Sequence, residues 1–172
     1  MFHVERTLAK PIFKGITVSL FLFVFLNGCV GARQTVQITD YVLVPNGKEI
    51  IGNKSITAFI FENNLKKLPI EQFLSSKFKT DNYQQNEFWI TIDKEKYKIM
   101  IYDKSDYEKY FINSNFAVIN EEPENAKSID QRKFIAISMI NSSNEDCLAD
   151  SSLYQNIAVN YLKNLKDEFY NQ

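Results

Sequence analysis

The sequence predicts an α+β domain, a largely antiparallel sheet of about five to six strands with helices on both faces. Ile56-Thr-Ala-Phe-Ile-Phe61 and Phe134-Ile-Ala-Ile-Ser-Met-Ile140 are apolar on both parities, as strands covered on both faces must be. The stretches from Pro69 to Phe78 and from Ser151 to Tyr170 repeat apolar residues at helical spacing. Between these, Glu87 to Asp103 alternates in the manner of a hairpin.

Each element has its own signal. Val36, Ile38, Val42 and Val44 alternate along one side of a first strand that ends at Pro45, and Asn46-Gly47 marks a turn. Ile56 to Phe61 is the next strand. Pro69 suits a first helical position because its missing N–H would be unpaired there in any case, and Ile70, Phe73, Leu74 and Phe78 then share one side. With Lys94 and Glu95 at the hairpin turn, Ile92 faces Tyr97, Ile90 faces Ile99 and Phe88 faces Ile101, giving one wholly apolar face. The opposite face carries Thr91, Asp93, Lys96 and Lys98 near the turn and Trp89, Met100 and Tyr102 farther away. Ser105-Asp106-Tyr107-Glu108 fits a capping box opening a short helix to Phe111. The last helix presents Tyr154, Ile157, Ala158, Tyr161, Leu162, Leu165 and Phe169 as a stripe that needs a sheet face to cover.

In layout, the opening strand Tyr41-Val-Leu-Val-Pro45 ending in proline, the strand at 56–61 and the helix at 69–78 resemble the Mog1/PsbP-like domains, some of which are bacterial lipoproteins. The resemblance implies an α/β/α sandwich and assigns no functional residue. The alternative is a ferredoxin-like or other two-layer α+β sandwich.

The first residues differ in kind from the rest. Arg6, Lys10 and Lys14 against a single Glu5 form a basic region, and Ile16 to Leu26 is continuously apolar or small, the order of a secretory signal. At about 1.5 Å per residue this run reaches roughly 16 Å, short of the roughly 30 Å of a bilayer core. Leu26-Asn27-Gly28-Cys29 then resembles the lipobox of bacterial lipoproteins, with Asn27 departing from the commonest pattern. The resemblance implies cleavage after Gly28, lipid on the Cys29 sulfur and, where the host has two membranes, Val30 favouring the outer one. The expected organisation is residues 1–28 as signal peptide, 29–34 as lipidated cysteine and short tether, and 35–172 as a single domain. The expected localisation is the cell envelope. An ordinary secretory signal cleaved near Gly31-Ala32 is the alternative.

The rest of the chain excludes much chemistry. The sole histidine, His3, leaves with the signal, which removes Ser-His-Asp and Cys-His catalysis and most His-ligated metal sites. No glycine follows Gly52, so phosphate-cradling loops are unexpected, and no cofactor or metal is assigned. The formal net charge is −1, becomes more negative once the basic leader is removed, and leaves only Arg33 and Arg132 as arginines, which argues against a nucleic-acid partner. Cys147 has no intramolecular partner once Cys29 carries lipid and reads as a small buried hydrophobe. The acidic groupings are Asp103 with Asp106, Glu121-Glu122-Pro123-Glu124, and Glu145-Asp146 with Asp150. They read in turn as helix-cap charge, a solvated loop, and acids favoured ahead of the last helix.

No catalytic residue is assigned. The expected function is a membrane-anchored envelope lipoprotein with a non-catalytic binding or assembly domain, engaging a protein partner or an apolar ligand. An immunity- or inhibitor-type lipoprotein that occupies another protein's site is the alternative, and a carboxylate-based hydrolase ranks third. The candidate binding surface is Trp89 with Met100 and Tyr102, expected either as a cluster beneath the last helix or as an open aromatic platform.

Overall fold

The structure, a computed structural model, describes residues 34–50, 52, 54–64, 66–112, 114–118 and 133–172. The expected signal peptide, the Leu26-Asn27-Gly28-Cys29 motif and the glutamates at 121–124 lie outside the described residues.

At the centre of the main sheet, Ala58–Glu62 (β5) and Phe134–Asn141 (β9) pair antiparallel, and both are buried on both faces through almost their whole length. Val42–Val44 (β2) lies outside β5, while Glu95–Ile101 (β7) and then Glu87–Ile92 (β6) lie outside β9. The five strands therefore run in the order β2-β5-β9-β7-β6, every neighbour antiparallel. The β6–β7 hairpin turns at Asp93 and Lys94, both at positive φ (51° and 73°) as a type I′ turn requires. Ile92 therefore pairs with Glu95, Ile90 with Tyr97 and Phe88 with Ile99, a slip from the register expected with Lys94 and Glu95 at the turn. The slip preserves parity, so each side chain stays on its expected face.

One face of the sheet carries Ile70–Phe78 (α1) and Gln155–Tyr170 (α3). Phe59, Phe61, Phe88, Ile99, Ile137 and Met139 from the strands meet Leu74 of α1 and Leu162, Leu165 and Phe169 of α3. Pro69 is the N-cap of α1, and Lys79 closes it in the left-handed conformation (φ 54°), its N–H reaching the carbonyls of Ser75 and Ser76. The last helix begins at Gln155 rather than Ser151, because Ala149 to Ser152 close a turn first. Ile157 is correspondingly partly exposed, and the neighbouring Val159 packs on the core.

Lys104–Tyr110 (α2) covers the other face together with a parallel pair of strands, Gln34–Ile38 (β1) and Ser114–Val118 (β8). Tyr107, Phe111, Phe116 and Ile38 pack there on Ala58, Ile60 and Ala136. Helices on both faces make this more than a two-layer sandwich. The expected first strand is divided: a bend at Thr39-Asp40 sends β1 to β8 and β2 to the main sheet. Val36, Ile38, Val42 and Val44 nevertheless reach the same cluster, which is why their alternation reads as one strand. The capping box of α2 lies earlier than Ser105 and Glu108. The Asp103 side chain accepts from the Asp106 N–H and Asp106 Oδ2 from the Asp103 N–H, both at 3.0 Å.

Glu49–Ile50 (β3) and Lys54–Ser55 (β4) form a small hairpin whose Ile50 packs on Ile56, Met100 and Ile140. Gly47 precedes it at a close approach: a Cβ there would stand 2.3 Å from Tyr102 Oη and 2.9 Å from the Ile56 carbonyl. None of these covering elements reaches the outer strand, so the second face is open over β6.

Candidate binding surface

The three residues expected to form one surface take different places. Trp89 is 56% exposed on the open face, while Met100 and Tyr102 are buried. The expectation that they lie beneath the last helix fails because α3 covers the opposite face, with Phe88, Ile90 and Tyr97. Met100 sits under the β3–β4 hairpin, and Tyr102 is enclosed by Tyr107, Tyr110 and Phe111.

Around Trp89 the open face is built from cross-strand neighbours. Lys98 pairs with Trp89 across the ladder, places its Nζ 5.1 Å from the centre of the indole, and forms an ion pair with Glu87 at 3.1 Å. Thr91 and Lys96, the next pair toward the turn, are exposed. The surface is thus an aromatic plane with ammonium groups beside it and one carboxylate at its end. Parity in the sequence placed Lys96 and Lys98 on this face. It could not reveal that β6 ends the sheet, because strand order depends on contacts distant in sequence.

Tyr102 belongs to a buried chain of hydrogen bonds. The Lys48 N–H donates to Tyr102 Oη (2.6 Å), Ser138 Oγ donates to the Thr57 carbonyl (2.7 Å), and Tyr102 Oη lies 2.8 Å from Ser138 Oγ. With both outer donors assigned, the Tyr102 hydroxyl proton points at Ser138. Burial pushes the Tyr102 phenol up to about 12, against the smaller lowering by its hydrogen bonds to Ser138 and Lys48. Lys48 Nζ pairs with Asp106 at 2.8 Å beside it. A protonated, enclosed phenol and a fully buried serine join β7, β9 and the Gly47 turn; they offer nothing to a substrate.

Cys147, Asp146 and Asp103 are likewise engaged within the fold. Burial, then Asp146 and Glu145, push the Cys147 thiol up to about 12, so the nucleophilic thiolate is suppressed. Asp146 does not serve the last helix as expected. Its oxygens accept from the Thr57 N–H (2.7 Å) and the Leu148 N–H (2.9 Å), fastening the 144–148 loop to the strand leading into β5. The Ser105 hydroxyl and the Asp106 amide hold the Asp103 carboxyl below its usual value. Among the described residues no group of three or more His, Cys, Asp or Glu could hold a metal ion.

A cleft of about 510 Å³ opens at the end of the sheet where β5 stops, lined among others by Asp40, Glu62, Lys66 and Tyr170. Tyr170 donates to the Glu62 carbonyl at 2.6 Å, and Lys166, almost fully buried, pairs with Asp40. Among the described residues no helix is long and apolar enough to cross a membrane. Compared with family models, curated proteins and solved structures, the chain matches none.

Proposed function

We propose that the chain is an exported lipoprotein, held at an envelope membrane by lipid on Cys29, whose α+β domain binds a protein partner without catalysis. The tether rests on the order of basic segment, apolar segment and Leu26-Asn27-Gly28-Cys29. Acyl chains supply roughly 0.8 kcal/mol per buried methylene, enough for stable anchoring when two or more are attached.

The binding half rests on one observation: the only tryptophan stands exposed on an open sheet face beside Lys98. A large rigid aromatic costs little entropy to order and contributes strongly when a partner desolvates it, which is why tryptophan is enriched at the centres of interfaces. A non-catalytic role is further supported by the engagement of Cys147, Asp103, Asp106, Asp146 and Tyr102 in the packing and hydrogen bonds of the fold itself.

Metabolic labelling with a fatty-acid analogue tests the tether. Wild type takes the label and sediments with membranes, whereas Cys29→Ala takes no label and is either released or retained unprocessed; equal labelling of the two would remove the lipoprotein assignment. Capture from detergent-solubilised envelope tests binding, with a partner recovered by wild type and lost with Trp89→Ala. Recovery of the same partner by both proteins would move the binding surface elsewhere.

A further inference from the structure

The outer edge of β6 carries a consequence independent of the proposed lipid and partner. In an antiparallel ladder only alternate residue pairs exchange hydrogen bonds. The Ile101 N–H donates to the Asn86 carbonyl, so the bonded partners that follow are Phe88 with Ile99, Ile90 with Tyr97 and Ile92 with Glu95. Glu87, Trp89 and Thr91 therefore point their backbone groups away from β7, and among the described residues no strand lies beyond. The Gln85 side chain caps the Glu87 carbonyl. The outward N–H and C=O of Trp89 and Thr91 meet no hydrogen-bond partner among the described residues.

Sheet edges are ordinarily blunted by short strands, lysine, proline or bulges. The opposite edge follows that rule, since β2 has three residues and runs into Pro45. The β6 edge does not. Its six residues, Glu87-Phe-Trp-Ile-Thr-Ile92, include neither lysine nor proline, and their register with β7 is unbroken.

We propose that β6 pairs with β6 of a second copy of this chain, antiparallel about a two-fold axis at Trp89, so that the two sheets continue as one. The strand is complementary to itself in this register. Trp89 lies opposite Trp89 of the second copy, Phe88 opposite Ile90, and Glu87 opposite Thr91, whose N–H takes the place of the Gln85 amide on the Glu87 carbonyl. No like charges meet on the open face, and apolar side chains meet on the other. Lys98 flanks each indole from the inner side. Neighbouring registers lose this match: an axis at Ile90 sets Glu87 against Asp93, and one at Thr91 sets it against Glu95. Moved the other way, the pairing runs off the strand toward Gln85. A closed two-fold dimer is also the commonest symmetric assembly, since one self-matching patch suffices.

Cysteine cross-linking reads the register directly on the full-length chain in mild detergent, with the wild type, which retains Cys29 and Cys147, as background. Directly bonded partners stand about 5.5 Å apart between Cα atoms, within reach of a disulfide. Thr91 stands about 13 Å along the strand from its own copy, beyond that reach. The expected result is that wild type sediments with the mass of two chains. On mild oxidation a mixture of Glu87→Cys and Thr91→Cys chains gives a disulfide dimer above background, and neither variant alone does so. Both side chains are exposed, so the substitutions leave the core intact. A monomeric wild type, a mixture no different from background, or equal cross-linking of Thr91→Cys with itself would each overturn the proposal. So would a different protein seated on the edge in place of the second copy.

Discussion

Phe88 and Trp89 are adjacent residues of one strand with opposite environments, 1% and 56% exposed. Parity made the separation of faces legible: every even residue from Phe88 to Ile92 reads as apolar. Whether the odd face is covered was not legible, because the cover comes from α2, β1 and β8, elements remote in the chain. The contrast is measurable by chemical denaturation. Phe88→Ala should cost about 3–5 kcal/mol, since its ring packs against Phe78 in the core and leaves a cavity. Trp89→Ala should cost less than about 1 kcal/mol, the worth of a cross-strand pair; a penalty matching that of Phe88 would show the face to be covered. Cys147 and Tyr102 set a second expectation. Ionisation from their ordinary values of 9.0 and 10.0 is deferred in the folded chain to about 12 for each, with burial as the main cause. The folded state thus holds protons that the unfolded chain has released in that window. Stability is intact below pH 9.0 and falls as pH rises toward about 12. A urea midpoint that stayed constant from neutral pH to about pH 11 would contradict this.

Among the elements, the turn after β2 shows how one residue can fix several neighbours. Gly47 lets the chain pass against Tyr102, and the next amide, that of Lys48, donates to the same hydroxyl. Gly47→Ala would push a methyl into Tyr102 Oη and the Ile56 carbonyl, at a cost of about 1–3 kcal/mol for overpacking. Crowding should also weaken the Lys48 and Ser138 hydrogen bonds to Tyr102, so the tyrosine absorption of the variant should shift relative to wild type. Asn46-Gly47 was readable as a turn, but the need for glycine arises from a side chain more than fifty positions away. The same limit explains α2. The spacing of Ser105 and Glu108 predicts a cap at Ser105, yet Asp103 and Asp106 satisfy that spacing too. Asp103 wins because β7 ends at Ile101 and the Tyr102 N–H is still bonded to Ala136, leaving Asp103 as the first residue free to turn.

At the scale of the molecule, the sheet and its flanking helices followed from patterns inside each segment, while the parallel pairing of β1 with β8 did not. The alternation of Val36 and Ile38 marks β1 as extended, but a parallel pair has no connecting turn to name its partner. The ladder holds only five residues of each strand and lies outside the main sheet. Its amides should therefore exchange with solvent through local opening, well before those of β5 and β9, which should approach the protection of global unfolding. Hydrogen exchange read by peptide checks this, and equal protection in both regions would show that β1 unfolds only with the whole domain.

That arrangement also defines a load path. Tension applied at the amino end enters the described residues at Gln34, so the bonds it meets first are those between β1 and β8 rather than those of the five-stranded sheet. Beyond β1 the chain reaches Asp40, clamped to the almost fully buried Lys166 of α3, and only then β2. A pull should peel β1 from β8 first, drawing Ile38 out of its buried place on Ala58, Ile60 and Ala136, before load reaches the Asp40–Lys166 ion pair and β2. The first strand should therefore yield ahead of the hydrogen bonds of the five-stranded sheet, at the cost of the apolar contacts Ile38 makes with it.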